Sequence, residues 1–266
     1  LLNLAMVKFP SFFGIHAEEA ELQAMRYSFV SVGVWWFIFS QYSFYHLPNF
    51  SKNKKIIKDV FFNGFLELKK VWIEFREIVI IKKFLTAFFI YSSALQTVLL
   101  IATYFGEQEI AWKDTDQKTL GLIISILLIQ LIAMVGAIFT AWLSKKIGNI
   151  YTLVFLNLFW AILCVGAFYI TKPVEFYVAA GLVGMVMGGI QALSRSTFSK
   201  MIPKTRNTTS YFSFYDVTQK VSIVIGMSLF AFVDQITGSM RNSILIFLIF
   251  FLLGAYLLNK IKIRNI

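Results

Sequence analysis

The sequence EFYVAAGLVGMVMGGIQALSRSTFSKMIPKTRNTTSYFSFYDVTQK, from Glu175 to Lys220, decides the fold. It begins with an apolar run that is long enough to cross a bilayer as a helix. A second apolar run follows the loop that contains Pro203. Small side chains recur at every fourth position of the first run, so they form one stripe along which another helix can approach closely. These residues are Ala180, Gly184, Gly188, Ala192 and Ser196.

Polar and charged side chains lie inside both runs. Gln191 and Arg195 are four residues apart, so they share one face of a helix. Tyr215, Asp216 and Lys220 fall within the first turns of the second run. Charges inside a membrane span are costly and usually face the interior of a helix bundle, where they have partners. The pattern predicts a polar cluster between two neighbouring helices.

These residues also carry a family resemblance. The sequence GGIQALSRS (188–196), then a proline-containing loop, then FYDVTQK (214–220), resembles the unknown-major-facilitator family. The relatives of that family include vacuolar amino-acid effluxers linked to autophagy. The resemblance continues in WWFIFS (35–40) and QITGSMR (235–241) and covers nearly the whole chain. It implies an all-α membrane protein with the major facilitator fold, which moves a small solute such as an amino acid by alternating access.

The composition agrees with a membrane protein. Of 266 residues, 58% are hydrophobic and 29 are Phe, which is more apolar sequence than a soluble domain of this size carries. The single cysteine excludes a disulfide within the chain and a cysteine metal site. The net charge of +11 would suit nucleic acid, but the positions of the basic residues give another explanation.

Seven apolar runs predict membrane spans. By resemblance, the last six form the C-terminal half of a permease, the first ends the N-terminal half, and residues 1–7 are the remnant of another span. The resemblance therefore implies three parts, and it implies the missing N-terminal half of the same permease as a partner beside the lipid bilayer and the small-molecule solute. The predicted spans are 27–46, 84–104, 119–143, 150–170, 175–199, 211–236 and 243–259, and the three parts are 1–46, the linker 47–83 and 84–266.

The linker carries nine basic residues between Lys52 and Lys83. Its apolar residues recur close to the helical period, which predicts an amphipathic helix over 51–82 on an anionic membrane surface. Lys70 and Glu74, four residues apart, are placed on the opposite, polar face. Calmodulin-binding and nucleic-acid-binding segments share this composition and remain alternatives. The apolar positions are Ile57, Val60, Phe61, Leu68, Val71, Trp72 and Phe75.

The basic residues also predict the orientation. If the linker is cytoplasmic, the loops on its side and the C-terminus carry seventeen basic residues, against six on the other side. We therefore expect a multi-pass protein of the bacterial inner membrane with a cytoplasmic C-terminus. This distribution accounts for the net charge without nucleic acid.

Six residues are assigned to substrate binding or gating. Arg195, Asp216 and Lys220 would form a net positive cluster, which suits either a carboxylate-bearing substrate or an ion pair that breaks and reforms. A structural salt bridge between helices is the alternative for Arg195. The remaining three candidates are Gln96 and Gln191, expected to line a cavity, and Tyr215 beside the cluster.

We find no pattern that indicates catalysis, a metal site or a cofactor. H-E-x-x-H, G-x-S-x-G and Walker sequences are absent, and the Gly-rich sequence GLVGMVMGG lies inside a span with no preceding strand. A membrane-embedded enzyme and a membrane interaction protein derived from a truncated permease are the alternatives to a transporter.

Overall fold

The computed structural model describes residues 2–16, 20–47, 60–203 and 208–261. In these ranges the regular structure is helical. The chain divides into two compact units, residues 1–58 and 59–266.

Three helical segments occur in the described residues of the first unit, 2–16 and 20–47. They are α1 (Leu2–Lys8), a 3-10 helix (Pro10–Phe13) and α2 (Ala20–His46). The Ser31 hydroxyl of α2 donates a hydrogen bond to the Asn3 side chain of α1 at 2.9 Å. At seven residues, α1 is too short to cross a bilayer, so its identification as the remnant of a span stays a prediction.

The second unit consists of one amphipathic helix followed by six long apolar helices. These are α3 (Val60–Glu77), α4 (Val79–Gln108), α5 (Thr115–Ile147), α6 (Asn149–Tyr169), α7 (Pro173–Met201), α8 (Thr208–Thr237) and α9 (Met240–Asn259).

The six helices α4 to α9 are long and apolar enough to cross a membrane, which confirms the last six predicted spans to within about five residues at either end. Helix α2 is not among the six. Its apolar residues alternate with serines, tyrosines and tryptophans, which lower its mean hydropathy although they suit a membrane interface. The predicted seventh span, 27–46, is therefore helical, but its crossing of the membrane stays a prediction.

The stripe of small residues on α7 packs against α5. A methyl group on Gly184 would lie 2.7 Å from the carbonyl oxygen of Ile129, and one on Gly188 would lie 2.7 Å from that of Ala133. Only glycine allows the two backbones to come this close. The sequence prediction of close helix contact along this stripe is confirmed, and α5 is the helix that meets it.

Helix α4 is the centre of the second unit. It packs mainly against α8 and α9, and α6 packs against α9. In the most apolar 18-residue stretch of α4, 61% is buried, whereas only 11% of the corresponding stretch of α5 is buried. Helix α4 is therefore largely surrounded by the other helices. Trp160 of α6 is fully buried and stacks on Phe251 of α9, with ring centroids 5.5 Å apart.

The amphipathic helix ends earlier than predicted, and part of its apolar face packs on protein. It ends at Glu77, and α4 begins at Val79, inside the predicted linker. Val71 and Phe75 are buried, and the Phe75 ring contacts the ring of Phe214 in α8. This part of α3 therefore packs on α8, and the placement of the helix on a membrane surface stays a prediction.

Glu74, which the sequence placed on the polar face, is exposed and also bonded to α8. It accepts a hydrogen bond from the Tyr211 hydroxyl of α8 at 2.6 Å. Glu74 lies one turn after the buried Val71, so it borders the packed side of the helix. The predicted apolar position Ile57, and the side chains of Val60 and Phe61, lie outside the described residues.

Candidate functional site

A polar cavity of about 230 Å³ lies between α4, α7 and α8. It contains most of the polar residues that the sequence singled out within these spans. Its lining residues are Phe88, Ser92, Leu95, Gln96, Gln191, Ala192, Ser194, Arg195, Tyr215 and Gln219.

The α4 wall of the cavity is built on helical spacing. Ser92 and Gln96 are four residues apart, so their side chains follow one another along the same face. The buried Ser222 hydroxyl of α8 donates a hydrogen bond to the Ser92 hydroxyl at 3.1 Å. This bond joins α4 to α8 beside the cavity and gives the buried Ser92 hydroxyl a partner.

A second buried hydrogen bond joins α4 to α7. The hydroxyls of Tyr91 and Ser194 are 2.7 Å apart, and both residues are almost completely buried. Ser194 also donates to the carbonyl oxygen of Ile190, one turn earlier. Because polar groups buried in a membrane bundle need partners, this bond fixes how α4 and α7 face each other along the cavity.

Arg195 and Asp216 form the predicted ion pair. The Arg195 Nη1 atom donates to the Asp216 carboxylate at 3.1 Å and so links α7 to α8. The two side chains are 53% and 47% exposed, so they are open to the cavity mouth and not locked in a dry interior. An exposed pair of this kind adds only about 0–1 kcal/mol to stability, which makes it easy to break.

Aromatic rings surround the guanidinium. The Arg195 guanidinium lies 5.2 Å from the centroid of Phe212 and 5.9 Å from that of Tyr215. Tyr215 is buried and stacks on Phe88 at 4.2 Å and on Phe198 at 5.0 Å. The rings hold the α8 backbone and Tyr215 in fixed positions, while the charged pair beside them stays exposed.

The structure brings together most of the six predicted site residues. Gln96, Gln191, Arg195 and Tyr215 line the cavity. Asp216 is paired with Arg195, as described. Lys220 is exposed, and in the described part of the chain it makes no ion pair with Asp216 one turn away. The functional roles of all six residues stay predictions.

Some cavity residues were not assigned to the site from the sequence. Ser92, Ser194 and Gln219 line the cavity, and Tyr91 supports its wall. The spacing of Ser92 and Gln96 on α4 was a usable signal for the first of these. The bond between Tyr91 and Ser194 joins residues 103 positions apart, so no local pattern reveals it.

A second charged cluster lies at the opposite ends of the helices. Arg241 of α9 donates to the Glu109 carboxylate at the end of α4 at 2.6 Å. It also donates to the carbonyl oxygens of Phe168 in α6, at 2.5 Å, and of Glu109 itself, at 3.1 Å. With side chains only 16% and 26% exposed, this pair is more buried than the one at the cavity. Arg241 thereby fastens the ends of three helices together.

A family model and several known proteins match this chain. The family model described as "Vacuole effluxer Atg22 like" matches residues 2–265. The "Uncharacterized MFS-type transporter YxiO" of Bacillus subtilis is 28% identical over 88% of this chain and 53% of its own length. "Autophagy-related protein 22" of Saccharomyces cerevisiae is 24% identical over 98% of this chain and 54% of its own length. The protein of the same name from Vanderwaltozyma polyspora is 31% identical over 69% of this chain and 35% of its own length.

The chain spans about half the length of these curated relatives from Bacillus subtilis and Saccharomyces cerevisiae. No solved structure matches it.

Proposed function

Because this chain belongs to the Atg22-like vacuole effluxer family, we propose that it is the C-terminal part of a secondary-active permease that moves a small solute by alternating access. The polar cavity between α4, α7 and α8 is the observation that carries this proposal. Transporters of this architecture hold their solute near the middle of the membrane, at the interface between repeats. A cavity of about 230 Å³ is smaller than the usual site for a drug-sized molecule, which favours a small solute.

The cavity chemistry favours a solute with a carboxylate, such as an amino acid. In the described part of the chain, the Arg195 guanidinium donates one hydrogen bond to Asp216. A guanidinium has five N–H groups, so several remain available for a carboxylate. Gln96, Gln191 and Gln219 add amide groups that can donate to or accept from a polar solute.

The Arg195–Asp216 pair is well placed to act as a gate. It joins two helices at the mouth of the cavity, and its exposure makes the energy needed to open it small. An incoming carboxylate can compete with Asp216 for the same guanidinium. Binding of the solute and opening of the ion pair would then occur together. The solute would bind the conformation with the open pair more tightly and so shift the protein toward it.

The partner in this proposal is a second set of membrane helices from the same permease. The match covers only 53% and 54% of two longer relatives, and two spans of this chain, α5 and α8, are mostly uncovered. In the most apolar 18-residue stretch of each helix, only 11% of α5 and 22% of α8 is buried. Rocking of one half against the other would cover part of these surfaces. We place the protein in a bacterial inner membrane with its C-terminus in the cytoplasm, following the distribution of basic residues.

The test is solute flux in liposomes that contain the permease with this chain as its C-terminal part. We expect saturable flux of radiolabelled amino acids, reduced by Asp216→Asn. The double exchange Arg195→Asp with Asp216→Arg separates two roles. Recovery of flux supports a gate, whereas a folded but inactive double variant supports direct contact of Arg195 with the solute. Absence of flux for every solute tested, in a protein that unfolds cooperatively, would refute the proposed function.

A further inference from the structure

Helix α3 uses its two faces for different kinds of contact. One face is fixed to α8: the Ser210 hydroxyl donates to Glu67 at 3.1 Å, and the Tyr211 hydroxyl donates to Glu74 at 2.6 Å. Phe75 is buried beside these bonds. Glu67 and Glu74 are therefore each held by a hydrogen bond to α8, although the side chain of Glu74 stays exposed one turn from Lys70.

The outer face of α3 is apolar and basic. Phe65, Leu66 and Ile73 are 69%, 52% and 52% exposed. Lys69 and Lys70 are exposed between them along the helix. We call these five residues the outer face of α3. Exposed aromatic and aliphatic side chains interspersed with lysines are typical of a helix that lies in the headgroup region of a bilayer.

The connection to α4 brings α3 next to the start of a candidate span. Helix α3 ends at Glu77 and α4 begins at Val79, so one residue separates α3 from that span. Glu77 is exposed at this end. The outer face can therefore reach the lipid headgroups that surround the entry point of α4.

The start of α4 adds further positive charge at the same level. Lys82 and Lys83 are exposed near the start of α4, and no acidic residue occupies its first turn. The amino-terminal end of a helix carries a partial positive charge, so lysines there are repelled by the helix dipole and do not stabilise the helix. An external anion at this position would offset that cost.

We propose that the outer face of α3, together with Lys82 and Lys83, binds anionic phospholipid headgroups at the membrane surface where α4 begins. The lysines supply the attraction to the phosphates, and the apolar residues enter the boundary between headgroups and acyl chains. The inner face holds α3 on α8, one wall of the polar cavity. The proposal does not depend on which solute the cavity accepts.

The experiment measures binding of fluorescent phosphatidylglycerol and phosphatidylcholine to the purified chain in neutral detergent. We expect preference for phosphatidylglycerol. Each lysine near an anionic surface is worth about fivefold in affinity, so Lys69→Gln with Lys70→Gln should raise the Kd roughly 25-fold. The matched control, Lys113→Gln with Lys145→Gln, removes two exposed lysines elsewhere, one from the loop before α5 and one from the last turn of α5, and should leave the Kd unchanged.

Two further measurements separate lipid binding from a loss of folding. Lys69 and Lys70 are exposed, so the double variant Lys69→Gln with Lys70→Gln should unfold at the same temperature as the wild type when no lipid is added. Phe65→Ser with Ile73→Ser should also weaken lipid binding. Equal loss of affinity in the control variant would overturn the proposal. So would tighter binding to a soluble RNA than to phosphatidylglycerol vesicles, or an outer-face variant that changes only the oligomeric state.

Discussion

Replacing Arg241 with Met removes the charge from the cluster that fastens the ends of α4, α6 and α9, while most of the side-chain volume stays. The wild-type guanidinium makes three hydrogen bonds, at 2.6, 2.5 and 3.1 Å, to groups of Glu109 and Phe168. Hydrogen bonds to charged groups contribute roughly 1.5–3 kcal/mol each, and partial exposure of both side chains reduces the total. We expect Arg241→Met to lower the free energy of unfolding by about 2–4 kcal/mol.

Asp216→Asn is the comparison, because it breaks the half-exposed pair at the cavity. Its expected cost is about 0–1 kcal/mol. The assay is thermal unfolding of both purified variants in the same detergent. For a chain of this size, the Arg241 variant should lose on the order of 5–10 °C in Tm and the Asp216 variant only a few degrees at most. An Arg241→Met protein that is as stable as Asp216→Asn would refute the assignment of Arg241 as a structural clamp.

Two other predictions concern the packing of α7 and the topology. Gly188→Leu should cost about 1–3 kcal/mol, because the first added carbon already lies 2.7 Å from a backbone oxygen of α5, whereas Gly166→Leu enters open space and should leave Tm nearly unchanged. Equal shifts in Tm would contradict the close packing of α5 and α7. From the predicted topology, Lys113→Cys and Lys145→Cys should react with an impermeant thiol reagent from opposite sides of the membrane. The native Cys164 is buried, so it should not contribute to the labelling. Reaction of both from one side would contradict the topology.

Apolar runs were enough to predict the last six spans, and local periodicity predicted the small-residue face of α7. The small-residue stripe of α7 recurs every four positions, so the sequence could show that a helix contacts it there. It could not show that the partner is α5, because contacts between helices distant in sequence follow from the three-dimensional arrangement. The pair Arg195 and Asp216 was predictable since the two residues are 21 positions apart, on helices joined by one loop.

The sequence was less informative about what covers each face. The spacing of Val71 and Phe75 identified an apolar face of α3, but periodicity does not distinguish a membrane surface from another helix. The same pattern placed Glu74 on the polar face, where its side chain is exposed, but it did not reveal the hydrogen bond from Tyr211 of α8. The bonds of Arg241 to Glu109 span 132 positions, so the clamp had no local signal. Long-range polar contacts of this kind require the structure.

The most direct test of the account is whether the cavity between α4, α7 and α8 holds water and solute. Gln191→Cys places a thiol in the cavity, and Ile162→Cys places one on the exposed outer side of α6, where a span faces lipid. In the reconstituted chain, we expect a small charged thiol reagent to modify Gln191→Cys and to leave Ile162→Cys unmodified. An amino acid that the permease carries should slow the first reaction. Modification of both variants at equal rates, or of Ile162→Cys alone, would contradict an aqueous solute cavity at this place.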